Sequence, residues 1–188
     1  TWSPHADFRT QTRILGPEAL RHSDYTGKLG LRGLPSATEI HYRVRFRDLA
    51  TGVYSAPETG RFRTPDITGK WPIRFGWSGD VCGQGFGINP QIGGMKIFDS
   101  IRQSYPDFFV HCGDIIYADA PLRKKKRVGE GKVWHNLVTP AKQKVAETLD
   151  EFRGNFRYNL LDEHVRKLNA SVPTSFIWDD HETKNNWW

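Results

Sequence analysis

Asp107-Phe108-Phe109-Val110-His111-Cys112-Gly113-Asp114 is a short apolar run that breaks at Gly-Asp, and it reads as a buried strand. The same pattern stands earlier, where Ile73-Arg74-Phe75-Gly76-Trp77-Ser78 leads into Gly79-Asp80. It recurs late in the chain, where Thr174-Ser175-Phe176-Ile177-Trp178 leads into Asp179-Asp180-His181. Between the first two lies Met95-Lys96-Ile97-Phe98-Asp99-Ser100-Ile101-Arg102, with apolar residues at helical spacing. Strand, helix and strand make a β-α-β unit, which implies parallel strands and a right-handed crossover. Open α/β sheets place their sites at the carboxyl ends of such strands, so the three polar clusters are expected to converge.

Outward from this unit the pattern changes near Pro65. In Glu39–Phe46, residues Ile40, Tyr42, Val44 and Phe46 fall on one face and His41, Arg43 and Arg45 on the other. With Gly60–Thr64 and turn residues such as Thr51-Gly52, this reads as a small antiparallel β-sandwich over residues 1–66. Its Leu34–Thr38 turn and Tyr-bearing strand resemble those of fibronectin-type-III-like modules, and nothing in it looks catalytic. The α/β region takes residues 67–188. Thr139 as N-cap and Pro140 at the first helical position predict a second helix, with Val145, Leu149, Phe152 and Phe156 on its apolar face. A third is expected from about Leu161 to Leu168.

At 188 residues the chain can bury a proper core. No run of 18 apolar residues exists, which excludes a spanning helix. No charged segment followed by an apolar stretch opens it, so no export signal is visible. The chain begins as if inside a strand region and stops on Asn185-Asn186-Trp187-Trp188, so it is expected to be the N-terminal part of a longer protein. A net charge of +6 suits an anionic partner without saying which. Cys82 and Cys112 are too few for a disulfide scaffold.

Taken singly, Asp80 and Asp114 read as turn-capping carboxylates and Tyr117 as a core or rim tyrosine. Asp179 and Asp180 are harder to absorb, because adjacent carboxylates after an apolar strand need a cation or several donors beside them. Strand-Gly-Asp twice, then strand-Asp-Asp-His and Asn185-Asn186, favours a hydrolytic site of two or more metals. His181 taken alone reads as a histidine that orients Asp180. His111, inside a strand, reads as a packed or supporting residue, and Cys112 as a buried thiol. The run Arg123-Lys124-Lys125-Lys126-Arg127 lacks interleaved aromatics, so it reads as a solvated insertion rather than a specific nucleic-acid site.

Gly113-Asp114-Ile115-Ile116-Tyr117 and Trp178-Asp179-Asp180-His181-Glu182 with Asn185-Asn186 resemble the signature blocks of PhoD-type alkaline phosphatases, a branch of the calcineurin-like metallophosphoesterases. The resemblance covers about the whole chain. It implies a ferric ion held by a thiolate, a phenolate and aspartates beside one or more calcium ions. The order of Cys82, Asp114 and Tyr117 then implies the iron ligands, with Asp114 bridging and Asp180 and Asn185 near the second metal. Asp80 departs from that order and is a possible ligand or supporting group; if it is the first-strand ligand, Cys82 is a bystander. His181 beside Asp180 resembles the Asn-His pair of related phosphatases, which implies a group that stabilises phosphoryl charge or protonates a leaving oxygen. Hydrolysis of phosphate mono- or diesters by a metal-bound hydroxide follows as the expected activity. Other divalent metals, a phospholipase-D-like diesterase, and a non-catalytic anion- or nucleic-acid-binding fragment stand as alternatives. The resemblance also implies export from the cytoplasm. The remaining ligands, later His and Asp residues, are expected beyond this chain.

Overall fold

The computed structural model describes residues 1–187; Trp188, the last residue of the sequence, lies outside them. The chain divides into two compact units, Thr1–Ile73 and Arg74–Trp188.

In the first unit β1 (Trp2–Ser3), β2 (Glu39–Val44) and β3 (Glu58–Arg63) form an antiparallel sheet in the order β1-β2-β3. Ile40 and Phe62 face each other across β2 and β3, and Ile40 is fully buried. Val44 and Phe46, on the same sequence face, are exposed. A second sheet facing this one is not found among the described residues: the long stretch between β1 and β2 holds a single 3₁₀ turn, Arg21–Ser23.

The second unit is built on β4 (Phe75–Ser78), β5 (Phe108–Cys112) and β8 (Thr174–Ile177), all parallel, with β5 in the centre. Helix α1 (Ile97–Gln103) links β4 to β5, and α3 (Glu163–Ser171) feeds β8. Strand pleating sends alternate residues to opposite faces. Phe109, 1% exposed, points to the face that packs against Phe98 of α1 and Val165 and Leu168 of α3, with Val81 and Val172. Burying such a ring contributes roughly 1.5–3 kcal/mol. Gly76 lets the ring pack close, since a Cβ there would lie 3.2 Å from the Phe109 ring, a tight contact. The other sheet face keeps Phe75 and Trp77 of β4 and Ile177 of β8 exposed. Cys112, on that open face, is exposed rather than the buried thiol expected from its strand setting.

A hairpin, β6 (Lys125–Arg127) and β7 (Val133–His135), stands between β5 and α2 (Leu149–Asn159). The helix expected from Thr139 forms only one 3₁₀ turn, Pro140–Lys142. Backbone pairing elsewhere diverts the chain, since the Lys142 carbonyl accepts from Leu122 N at 2.6 Å and Ala146 N donates to Ala118 O at 2.8 Å. Helix α2 starts at a different threonine. Thr148 accepts from Glu151 N and the Glu151 carboxylate accepts from Thr148 N, a complete capping box. Replacing Thr148 by Ala is expected to cost about 1 kcal/mol, read as a lowered midpoint in thermal unfolding followed by circular dichroism. Tyr158 of α2, 1% exposed, accepts from Ile88 N and donates to Leu137 O, each at 2.8 Å. Among the described residues no helix is long and apolar enough to cross a membrane.

Candidate metal centre

Three loops leave the carboxyl ends of β4, β5 and β8, and backbone bonds tie them together. Asp80 N donates to Gly113 O at 3.2 Å and Val81 N to Asp114 O at 2.8 Å, which joins the first loop to the second. The second and third are joined by Glu182. Its carboxylate accepts from Asp114 N (3.2 Å), Ile116 N (3.1 Å) and Asp179 N (2.8 Å). Gly113 makes this approach possible. Its φ of +91° is in the left-handed region, and a Cβ would fall 2.4 Å from the Asp179 Cβ.

The result is a cluster in which ligand atoms of Asp114, Asp180 and His181 all lie within 4.8 Å of one another. Asp114 is buried and has a left-handed φ of +53°, a conformation Asp tolerates. Its Oδ1 accepts from His181 N at 3.2 Å and its Oδ2 from the Tyr117 hydroxyl at 3.3 Å. The Asp80 side chain lies close enough to both Asp114 and Tyr117 to raise the pKa of each. Asp180 is held by a bond from Asn186 N. The Tyr117 ring stacks on His181 with centroids 4.1 Å apart. Beneath, the buried Lys142 donates to Tyr117 O and Asn155 Oδ1, each at 2.9 Å, and burial lowers its pKa.

Electrostatics match the crowding. Burial, followed by the hydrogen bond with Asp80, pushes the Asp114 carboxyl up to about 6. A buried carboxyl whose charged form is disfavoured in this way is a donor short of positive charge, and a hard cation would supply it. Burial likewise raises the Tyr117 phenol, with the Asp114 charge adding to it. Burial pulls His181 down, but its hydrogen bond and ion pair with Asp119 outweigh this and its pKa is raised.

Asp119 is the functional residue that sequence reading missed. Its Oδ2 meets His181 Nδ1 at 2.8 Å and accepts from Asn185 N at 2.8 Å, while its Oδ1 is buried with no partner among the described residues. Nothing in Tyr117-Ala118-Asp119 marks it as special; its importance lies in a contact 62 residues away. Asn185 joins the site through its backbone amide.

Cys82 is not brought to this cluster. Its Sγ lies 3.1 Å from Met95 Sδ, and the residue packs beside Val81, Phe98 and Ile88. Burial drives its thiol up to about 12, so in this setting it stays protonated. The first-strand residue beside Asp114 and Tyr117 is Asp80. His111 is 3% exposed inside the sheet with burial lowering its pKa, consistent with a packed residue.

Residues 75–188, more than half of the chain, match the family model described as PhoD-like phosphatase. Among solved structures the chain is similar to one titled "Structure of PhoD", with a TM-score of 0.71 and 20% identity. That likeness covers 99% of this chain and 32% of the other, so the present chain spans about a third of its length. No curated protein matches.

Proposed function

This chain belongs to the PhoD-like phosphatase family, and on that premise we propose that its site serves metal-dependent hydrolysis of phosphate esters. The observation that carries the reading is the meeting of Asp114, Asp180 and His181 ligand atoms within 4.8 Å at the ends of parallel strands. Asp80, Asp114, Tyr117 and Asp180 are the residues that would hold metal. Asp114 is the natural shared ligand, since it contacts the groups of all three loops. Aspartate and phenolate oxygens suit a ferric ion with calcium or another hard divalent ion, whereas the thiol of Cys82 is withdrawn toward Met95. A bound cation would supply charge for the phosphoryl oxygens and acidify a water nucleophile.

The remaining work falls to the protein. His181, charged more readily because of Asp119, is the group suited to stabilise the phosphoryl charge or to protonate the leaving oxygen. Asp119 is a positioning residue that fixes which ring nitrogen faces the site, and Tyr117 holds the ring plane from one side. Asp119→Asn is therefore expected to lower turnover about 10–100-fold. The loss should be greater on alkyl phosphates than on 4-nitrophenyl phosphate, whose leaving group needs no proton. Comparing kcat and KM on the two substrates checks it, and an equal loss on both would assign Asp119 a purely structural part.

The reading as a whole is tested by equilibrium dialysis of the chain against Fe3+, Ca2+ or Mn2+, followed by metal analysis and assays on aryl phosphate mono- and diesters. Absence of any tight metal uptake at pH 7 would sink it. A location outside the cytoplasm, implied by the family resemblance, belongs to the same proposal.

A further inference from the structure

The charge of this chain is concentrated in one hairpin. Residues 123–132 hold Arg123, Lys124, Lys125, Lys126, Arg127 and Lys132 against the single acid Glu130, so this segment alone accounts for +5 of the chain's +6. The register pairs Lys125 with His135, Lys126 with Trp134 and Arg127 with Val133. Pleating therefore puts Lys126 and Trp134 on one face and Lys125, Arg127, Val133 and His135 on the other.

The inner face is bolted down. The Lys126 ammonium sits 4.0 Å over the Phe86 ring and donates to Gln84 O. Trp134 meets Phe86 edge-on at 5.5 Å and donates Nε1 to Gly87 O at 3.1 Å. Asn136 Nδ2 donates to Gly85 O (2.9 Å) and Arg123 O (2.7 Å). This anchoring loop is also the wall of the site. Gly83 abuts Tyr117 so closely that a Cβ would land 2.2 Å from the ring, and Gln84 follows directly. The hairpin is thus fixed within a residue or two of Tyr117.

On the outer side Arg123, Lys124, Lys125 and Arg127 are exposed. Of the hairpin's cations only Lys132 has a carboxylate partner among the described residues, Glu130 at 3.1 Å. Four unneutralised cations in five residues repel one another, at a cost to the folded state that an anion would offset. Phe86 and Trp134 are both engaged, so no ring of the hairpin is free to stack on a base. The outer face also offers no aromatic to insert into lipid.

We propose that this hairpin is a docking arm for a linear phosphodiester polymer of the single-stranded nucleic-acid type, gripping non-reacting phosphates without reading sequence. The inference deepens the phosphoesterase reading, on which it rests for the phosphate that enters the metal centre. It is tested on the whole chain, stripped of metal, with a fluorescein-labelled oligothymidylate followed by anisotropy. Lys125→Gln/Arg127→Gln is compared with Lys28→Gln/Arg32→Gln, which removes the same charge from exposed positions in the first unit. The hairpin variant is expected to bind about tenfold more weakly, and its slope of log K against log salt should fall by about 1.4, two contacts at about 0.7 each. The control variant should bind as the parent does. Equal loss in both variants, no binding of the oligothymidylate, or preference for phosphatidylglycerol vesicles over it would overturn the proposal. Binding is read without metal or turnover. A chain that binds yet neither takes up metal nor hydrolyses sinks only the phosphoesterase reading, and one that hydrolyses without binding sinks only the arm.

Discussion

Asp114→Asn is expected to lower phosphate-ester hydrolysis about a thousandfold, with metal uptake falling in parallel. Loss of the shared ligand removes several kcal/mol of charge stabilisation, and about 4 kcal/mol corresponds to a factor of roughly 10³. The substitution is well suited to the test, because Asn tolerates the left-handed backbone at φ +53°, its Oδ1 can still accept from His181 N, and its Nδ2 can donate to the Tyr117 hydroxyl oxygen in place of the bond that Asp114 accepts. Folding should survive where chemistry does not. A pH signature should vanish with it. The Asp114 carboxyl, raised to about 6 by burial and by Asp80, binds its proton more tightly in the native than in the unfolded chain. Its contribution to stability is therefore full below about pH 4 and lost as pH rises through about 6. Metal-free parent protein should thus lose stability from pH 5 to pH 7, and a bound cation, which displaces that proton, should restore it. Melting curves at the two pH values, with and without metal, check both halves. A parent with the same slope as Asp114→Asn would refute the assignment.

Gly113→Ala should be the most damaging change outside the ligand set. Two costs coincide at this position. An Ala at φ +91° is strained by about 1–3 kcal/mol. Its methyl would also stand 2.4 Å from the Asp179 Cβ and 3.1 Å from the Asp179 backbone nitrogen, an overlap that typically costs another 1–3 kcal/mol. No flexible side-chain end is available to move aside, since the obstacle is the stem and backbone of the third loop. A total of about 3 kcal/mol or more is expected, measured by urea unfolding. The loops should separate, so metal affinity should fall together with stability. Gly79→Ala is the comparison, because a Cβ there meets only ordinary contacts at 3.7 Å or more.

The parallel sheet was legible because its strands are short continuous apolar runs that each stop at Gly-Asp or Asp-Asp, and this pattern survives without tertiary knowledge. So was the meeting of Asp114, Asp180 and His181. The start of α2 was misread for a local reason. Thr139-Pro140 is a good helix opening, but Leu122 and Ala118 claim the backbone groups that would have continued it, and such claims are invisible in a linear sequence. Thr148-x-x-Glu151, a capping box at the true start, was visible and went unread. Which of Asp80 and Cys82 faces Asp114 depends on side-chain direction after a strand. Both residues have left-handed φ values, +58° and +57°, so strand alternation no longer says which one faces the loops. In the structure Met95, thirteen residues away, draws the Cys82 sulfur inward, a contact that no local pattern announces. Asp119 had no local mark at all.

Glu182 gives the site a mechanical property. One carboxylate holds the amides of Asp114, Ile116 and Asp179, so loss of that side chain frees all three hydrogens together. The second and third loops are therefore expected to open as one unit, with the protection of these three amides from hydrogen exchange falling together in Glu182→Gln. The candidate metal centre is in this sense latched through one side chain rather than hinged.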